Sequence, residues 1–119
     1  MSLSFFLLSI DPSHIGARLN RAELRATVPA DHGGSLFEAV GDYTIILNEY
    51  DPQCVAALVN RGVCRAREAN LSAAISDYDL AIKTEPQCGV ALFNRAVAYE
   101  KTGNPTQGEG KTVKIYKHN

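Results

Sequence analysis

The chain has no tryptophan, one methionine, and aromatic residues at only 8%, so the stacking platforms that hold single-stranded nucleic acid have little to be built from. Neither sign of charge dominates. Twelve basic residues face 13 acidic ones, for a net charge of -1, and no strong field draws the protein to nucleic acid or to an anionic membrane. No apolar run approaches the ~20 residues of a membrane span. The opening segment, Met1 to Ile10, is apolar but short, lacks a basic start and is followed by no small-residue cleavage site, so it reads as helix rather than as a secretory signal.

Chemistry-bearing clusters are equally scarce. The three cysteines, Cys54, Cys64 and Cys88, are odd in number and have no CxxC spacing, which argues against a secreted disulfide framework and for a reducing setting, cytoplasmic in the first place, with a nuclear or cytoskeletal one also open. His14, His32 and His118 stand in no nucleophile motif and in no cluster with metal-ligand spacing, so neither an enzyme nor a metal or other cofactor is expected. Gly110-Lys111-Thr112 has the ending of a phosphate-binding loop, but Pro105 occupies the place of the required first glycine and no strand precedes it.

What the chain does contain is 119 residues with 45% hydrophobic and 21% charged, the balance of a single folded domain. It also repeats itself. Asp11-Pro12 is followed at matching offsets by Ala17 and Asn20-Arg21-Ala22. Asp51-Pro52 is followed by Ala57 and Asn60-Arg61-Gly62, and Glu85-Pro86 by Ala91 and Asn94-Arg95-Ala96. A second element recurs as Ala39-Val-Gly-Asp42-Tyr43 and Ala74-Ile-Ser-Asp77-Tyr78. Pro52 and Pro86 are 34 residues apart, whereas Pro12 and Pro52 are 40 apart. The extra length is expected mainly in the loop Thr27–Ser35, with its proline and paired glycines.

Apolar residues recur at helical spacing at Val55, Leu58, Val59 and Val63, and at Leu71, Ile75, Tyr78 and Ile82. Helices are predicted near 3–10, 13–27, 35–49, 53–68, 71–84, 87–102 and, more weakly, 105–117. Each proline is expected in a first helical turn, with the acidic residue before it as cap. Gly62 is costly in a helix interior, about 1 kcal/mol relative to Ala, and is expected to lie under a packed neighbour. The cysteines are expected as free buried thiols, because Cys54 and Cys88 fall one repeat apart, ~10 Å in a helix stack.

The sequence resembles the tetratricopeptide repeat, a 34-residue helix–turn–helix unit. Residues 55–88 carry the best copy, with Gly62, Ala74, Tyr78, Ala81 and Pro86 at the family's small, aromatic and proline positions. Leu92, Ala96, Tyr99 and Gly103-Asn104 match the first half of another copy, and residues 13–52 form a stretched one. Arg61, Arg65 and Arg95 depart from the pattern, and residues 105–119 match poorly. The resemblance implies an all-α, right-handed superhelical solenoid forming one domain over 1–119, with repeats about 13–52, 55–88 and 89–119. Residues 3–10 read as the end of a preceding repeat helix. Their abrupt apolar start suggests a piece of a longer array or an end that pairs with another copy.

The resemblance further implies a concave groove lined by the first helix of each pair: Leu19, Asn20, Glu23, Val59, Asn60, Val63, Arg67, Val90, Asn94, Val97 and Lys101. Its ligand would be an extended or helical peptide of a protein partner. The repeated Asn20, Asn60 and Asn94 have two roles open to them. An amide both donates and accepts, so it can grip a bound main chain or tie neighbouring helices together. The arginines that follow point ~100° away, and pairing of Arg21, Arg61 and Arg95 with Asp42 and Asp77 is expected. The family's two-carboxylate clamp is matched poorly: Leu19, Glu23 and Val90 stand where it has Lys or Asn, and Glu23 repels a carboxylate. The rival expectation is a spacer or self-assembling segment of a longer array.

Overall fold

The structure, a computed structural model, describes residues 3–103. The helix expected at 105–117 lies outside them. The described residues form six helices and no strand: α1 (Leu3–Ile10), α2 (Ile15–Thr27), α3 (Leu36–Ile45), α4 (Val55–Arg67), α5 (Leu71–Thr84) and α6 (Gly89–Thr102). A short 3-10 turn, Ala30–His32, interrupts the α2–α3 connection. No described helix is long and apolar enough to cross a membrane.

The helix starts differ from expectation in a uniform way. α2, α4 and α6 each begin three residues after the proline, not at it. The acidic–Pro pair instead forms a turn that closes the preceding helix. Asp11 Oδ1 accepts from the Ser13 N–H at 3.1 Å, and Asp51 Oδ1 from the Gln53 N–H at 3.0 Å. This is the local bonding that lets Asp compete with the helix. The carbonyls of Asp11, Asp51 and Glu85 then take the N–H of His14, Cys54 and Cys88, and those three residues are the N-caps. His14 Nδ1 accepts from Ala17 N–H at 2.9 Å, whereas Cys54 and Cys88 supply no side-chain cap. α3 is capped by Ser35, whose Oγ accepts from Glu38 N–H at 3.1 Å, in the Ser-x-x-Glu pattern of a capping box. Asn70 caps α5.

The uneven repeat length has two structural sources. Most of it is the loop after α2, where Gly34 sits so close to the Val28 carbonyl that no side chain fits. The remainder is one residue: Tyr43 to Pro52 is 9 positions, and Tyr78 to Pro86 is 8. α3 absorbs it by widening into a π turn over Ile46–Tyr50, closed by the Asp51 N–H on the Ile46 carbonyl at 2.7 Å. A single-turn π bulge is how a helix accommodates one inserted residue.

Each helix packs on the next, and α2 and α4, and α4 and α6, also pack on one another. α1, α3 and α5 do not pack on each other. The main core lies among α2, α3 and α4, with Ala22, Tyr43, Ile46, Leu58 and Cys64 buried. A smaller one gathers Ala74, Tyr78 and Ala98. Burying a side chain the size of Leu58 contributes about 2 kcal/mol. The cysteines are all free, but only Cys64 is buried. Cys54 and Cys88 are half-exposed, because a helix N-cap sits at the end of the packed face rather than within it.

Candidate binding face

The mutual contacts of α2, α4 and α6 place the first helix of each pair in one row, and the repeated asparagines fall on that row. Asn20 is exposed, and Asn60 and Asn94 are half-buried. None of the three side chains hydrogen-bonds within the described residues. Among the described residues the amides therefore tie no two helices together.

The arginines that follow them take the opposite role. Arg21 grips Asp42 of α3 with two parallel bonds, Nε to Oδ2 at 3.0 Å and Nη2 to Oδ1 at 2.6 Å. Arg61 grips Asp77 of α5 in the same way, at 3.0 and 2.7 Å. This bidentate geometry is the strong form of the pair. Both aspartates are buried. Arg95 departs from the series and bonds Asp79 of α5 at 2.9 Å, because no counterpart of Asp42 and Asp77 lies beyond it among the described residues.

Three further arginines join these pairs and were not anticipated. Arg18 and Arg25 also reach Asp42, at 3.4 and 2.9 Å, and Arg65 reaches Asp77 at 3.0 Å. Their signal was in the sequence: 18, 21 and 25, like 61 and 65, are three and four apart and share one helix face. Phe5 of α1 stacks under the same group, its ring centroid 5.3 Å from the Arg21 guanidinium carbon and 5.4 Å from that of Arg25, in the range of cation–π attraction.

The remaining residues expected in the groove divide. Val59 is 7% exposed and belongs to the core, so it offers a partner almost no surface. Leu19 and Val63 are half-buried against the two cores. Positions 59 and 63 are one turn apart and rotated from Asn60 toward the helix pairs, which is why they pack inward. Glu23, Val90 and Lys101 are exposed and Val97 is half-buried. Arg67 lends its Nη1 to the Ala26 carbonyl at 2.9 Å, satisfying an open carbonyl near the end of α2. Asn20 and Glu23 line a cleft of about 380 Å³ with Ser4, Leu24 and Thr27.

Burial makes three groups behind this face weaker acids. The Cys64 thiol is pushed up by desolvation. Desolvation likewise raises Tyr43 well above the ordinary tyrosine value, and Tyr78 to about 12. None gains a nucleophile's character from this, since each shift favours the neutral form. Among the described residues no three His, Cys, Asp or Glu side chains gather as a metal ion would require.

No protein-family model matches the chain, and no curated protein is significantly similar to it. The repeat resemblance rests on the recurring residues themselves.

Proposed function

We propose that the α2–α4–α6 row is the peptide-binding face of a tetratricopeptide-type array, and that the protein is an interaction scaffold with no catalytic activity. The observation that carries this reading is the contrast between neighbouring residues. At each repeat the arginine is committed to a carboxylate of the α3–α5 side, while the asparagine beside it has no bond within the described residues. An amide held on a rigid helix with both its donor and acceptor open suits an extended main chain. The half-buried Val97 and exposed Val90 add apolar surface beside Asn94, and the mix of Glu23 and Lys101 favours a ligand of low net charge. Three free thiols suit a reducing compartment such as the cytoplasm.

A peptide library displayed on phage and selected against the protein tests this. Selected peptides should lose most of their binding to an Asn60→Ala/Asn94→Ala variant whose melting temperature is unchanged. Equal capture by the double variant would overturn the reading.

The second reading, a spacer or self-assembling segment, draws on α1. Leu3, Phe6 and Ile10 are 70%, 54% and 65% exposed, and they recur three and four apart as a stripe facing away from α2. Light scattering separates the two readings: a mass that doubles with rising concentration favours self-assembly, and a constant monomer mass removes it.

A further inference from the structure

On the other side of α2 from the amides, the Asp42 group carries more positive than negative charge. Three guanidiniums, those of Arg18, Arg21 and Arg25, converge on one carboxylate. Their side chains are only 10%, 18% and 23% exposed, and Asp42 only 2%. Among the described residues the one further carboxylate paired with these guanidiniums is Glu38, 3.9 Å from Arg25 Nε and 54% exposed. Three positive charges against two negative leave one met by no carboxylate, only by the Phe5 ring beside Arg21 and Arg25, and one of the two negatives is about half solvated. An excess charge removed from water is unfavourable unless an opposite charge meets it.

The donor inventory gives the same answer. Arg21 uses Nε and Nη2 on Asp42, and Arg25 uses Nη1. Arg21 Nη1 and Arg25 Nη2 have no acceptor among the described residues, and Arg18 Nε is buried without one. Arg21 and Arg25 line a cleft of about 520 Å³, whose other walls are largely the apolar side chains of Phe37, Val40 and Ile45 on α3. That volume is in the range of small-molecule sites, which pair mostly apolar walls with a few placed polar groups. The second group does not share this arrangement. Arg61 places its remaining Nη1 on Thr44 Oγ1 at 3.2 Å.

We propose that this cleft binds a small free carboxylic acid with an aliphatic body, its carboxylate on Arg21 and Arg25 and its chain against Phe37, Val40 and Ile45. The site is separate from the amide face and does not depend on the function proposed for it. A monocarboxylate supplies the missing charge and accepts from the two open guanidinium nitrogens, while its chain covers apolar surface that now faces water.

The test uses octanoate, with 1-octanol as its uncharged twin, titrated calorimetrically and by NMR on the arginine Nε–H signals. Octanoate should bind at least about tenfold more tightly than octanol, the order expected of a charge contact in a partly buried site, and should shift the signals of Arg21 and Arg25 but not those of Arg61 and Arg65. Gly41 lines the cleft, and a Cβ built there meets nothing within 4 Å, so the wall can be altered without disturbing the fold. Gly41→Asp should weaken octanoate about tenfold through like-charge repulsion and leave octanol unchanged, whereas Gly41→Asn should leave both within about twofold. The proposal is overturned if octanoate fails to bind, if octanol binds as well, or if Gly41→Asp leaves octanoate binding intact. It is overturned equally if a peptide ending in a leucine carboxylate binds and octanoate does not, since the cleft would then be a peptide site.

Discussion

The ring of Tyr78 lies against the backbone of Gly62 so closely that a β-carbon on the glycine would stand 2.5 Å from Cε1 and 2.9 Å from Cδ1. Tyr78 is 2% exposed and cannot swing away. Gly62→Ala gains up to about 1 kcal/mol of helix propensity, but overpacking in a filled core costs about 1–3 kcal/mol. The net expectation is destabilisation by about 1 kcal/mol, read from urea unfolding. Pairing it with Tyr78→Leu should restore the helix gain, so the two changes together should cost less than their sum.

The two aspartates make a sharper case. Asp77→Asn strips the counter-charge from Arg61 and Arg65, whose side chains are 13% and 27% exposed. Removing one member of a buried ion pair costs about 3–5 kcal/mol. Asp42→Asn should cost at least as much, because three guanidiniums meet there. Both losses should persist in about 0.5 M salt, since buried pairs are poorly screened. Equal stability of either variant and the parent in denaturant melts would refute this.

Alkaline pH should loosen the fold within a defined window. The Tyr78 hydroxyl is raised from 10.0 to about 12 in the folded chain by burial, and Tyr43 is raised further. A group whose folded value is raised contributes stability that is complete below its unfolded value and is lost as pH climbs toward the folded one. Stability should therefore hold up to about pH 9 and fall between 10 and 12. Tyr78→Phe should flatten part of that slope. A stability profile that is level across this window, followed by circular dichroism, would contradict it.

Ala69 offers a change in the other direction. It has φ 64°, the left-handed conformation, in the turn between α4 and α5. That conformation costs an L-residue about 1–2 kcal/mol, while glycine adopts it freely and loses only part of the gain to a more flexible unfolded chain. Ala69→Gly should raise the melting temperature by a few degrees, corresponding to about 0.5–1 kcal/mol. A lower melting temperature would show that the turn is not strained.

Much of the helix layout was legible because proline, small residues and tyrosine recur at fixed offsets. α1 and α5 have the predicted bounds, and the other starts differ by one or two residues. For α2, α4 and α6 the cause is shared: an acidic–Pro pair serves a closing turn as readily as a helix start, and Asp11, Asp51 and Glu85 form the turn; α3 starts one residue later because Ser35 is its cap. The π turn at Ile46–Tyr50 was beyond the pattern, since one extra residue looks the same whether it lengthens a loop or widens a helix. The pairing of Arg21 with Asp42 and of Arg61 with Asp77 followed from their shared spacing. Arg18, Arg25 and Arg65 were missed because they do not recur in every copy. The resemblance implies a groove position for Val59, whereas its helical apolar spacing with Val55, Leu58 and Val63 marks the buried side, and the structure follows the spacing.

Each bidentate arginine finds its aspartate on the helix that immediately follows: Arg21 of α2 in α3, Arg61 of α4 in α5. From one pair to the next the contacts combine the apolar core with single arginine bonds, Arg61 to Thr44, Arg67 to the Ala26 carbonyl and Arg95 to Asp79. A helix pair copied or deleted as a unit thus carries its own counter-ion with it. For these two pairs, duplication leaves no bidentate arginine without its carboxylate, whereas Arg95 of α6 draws its counter-charge from Asp79 of the preceding pair.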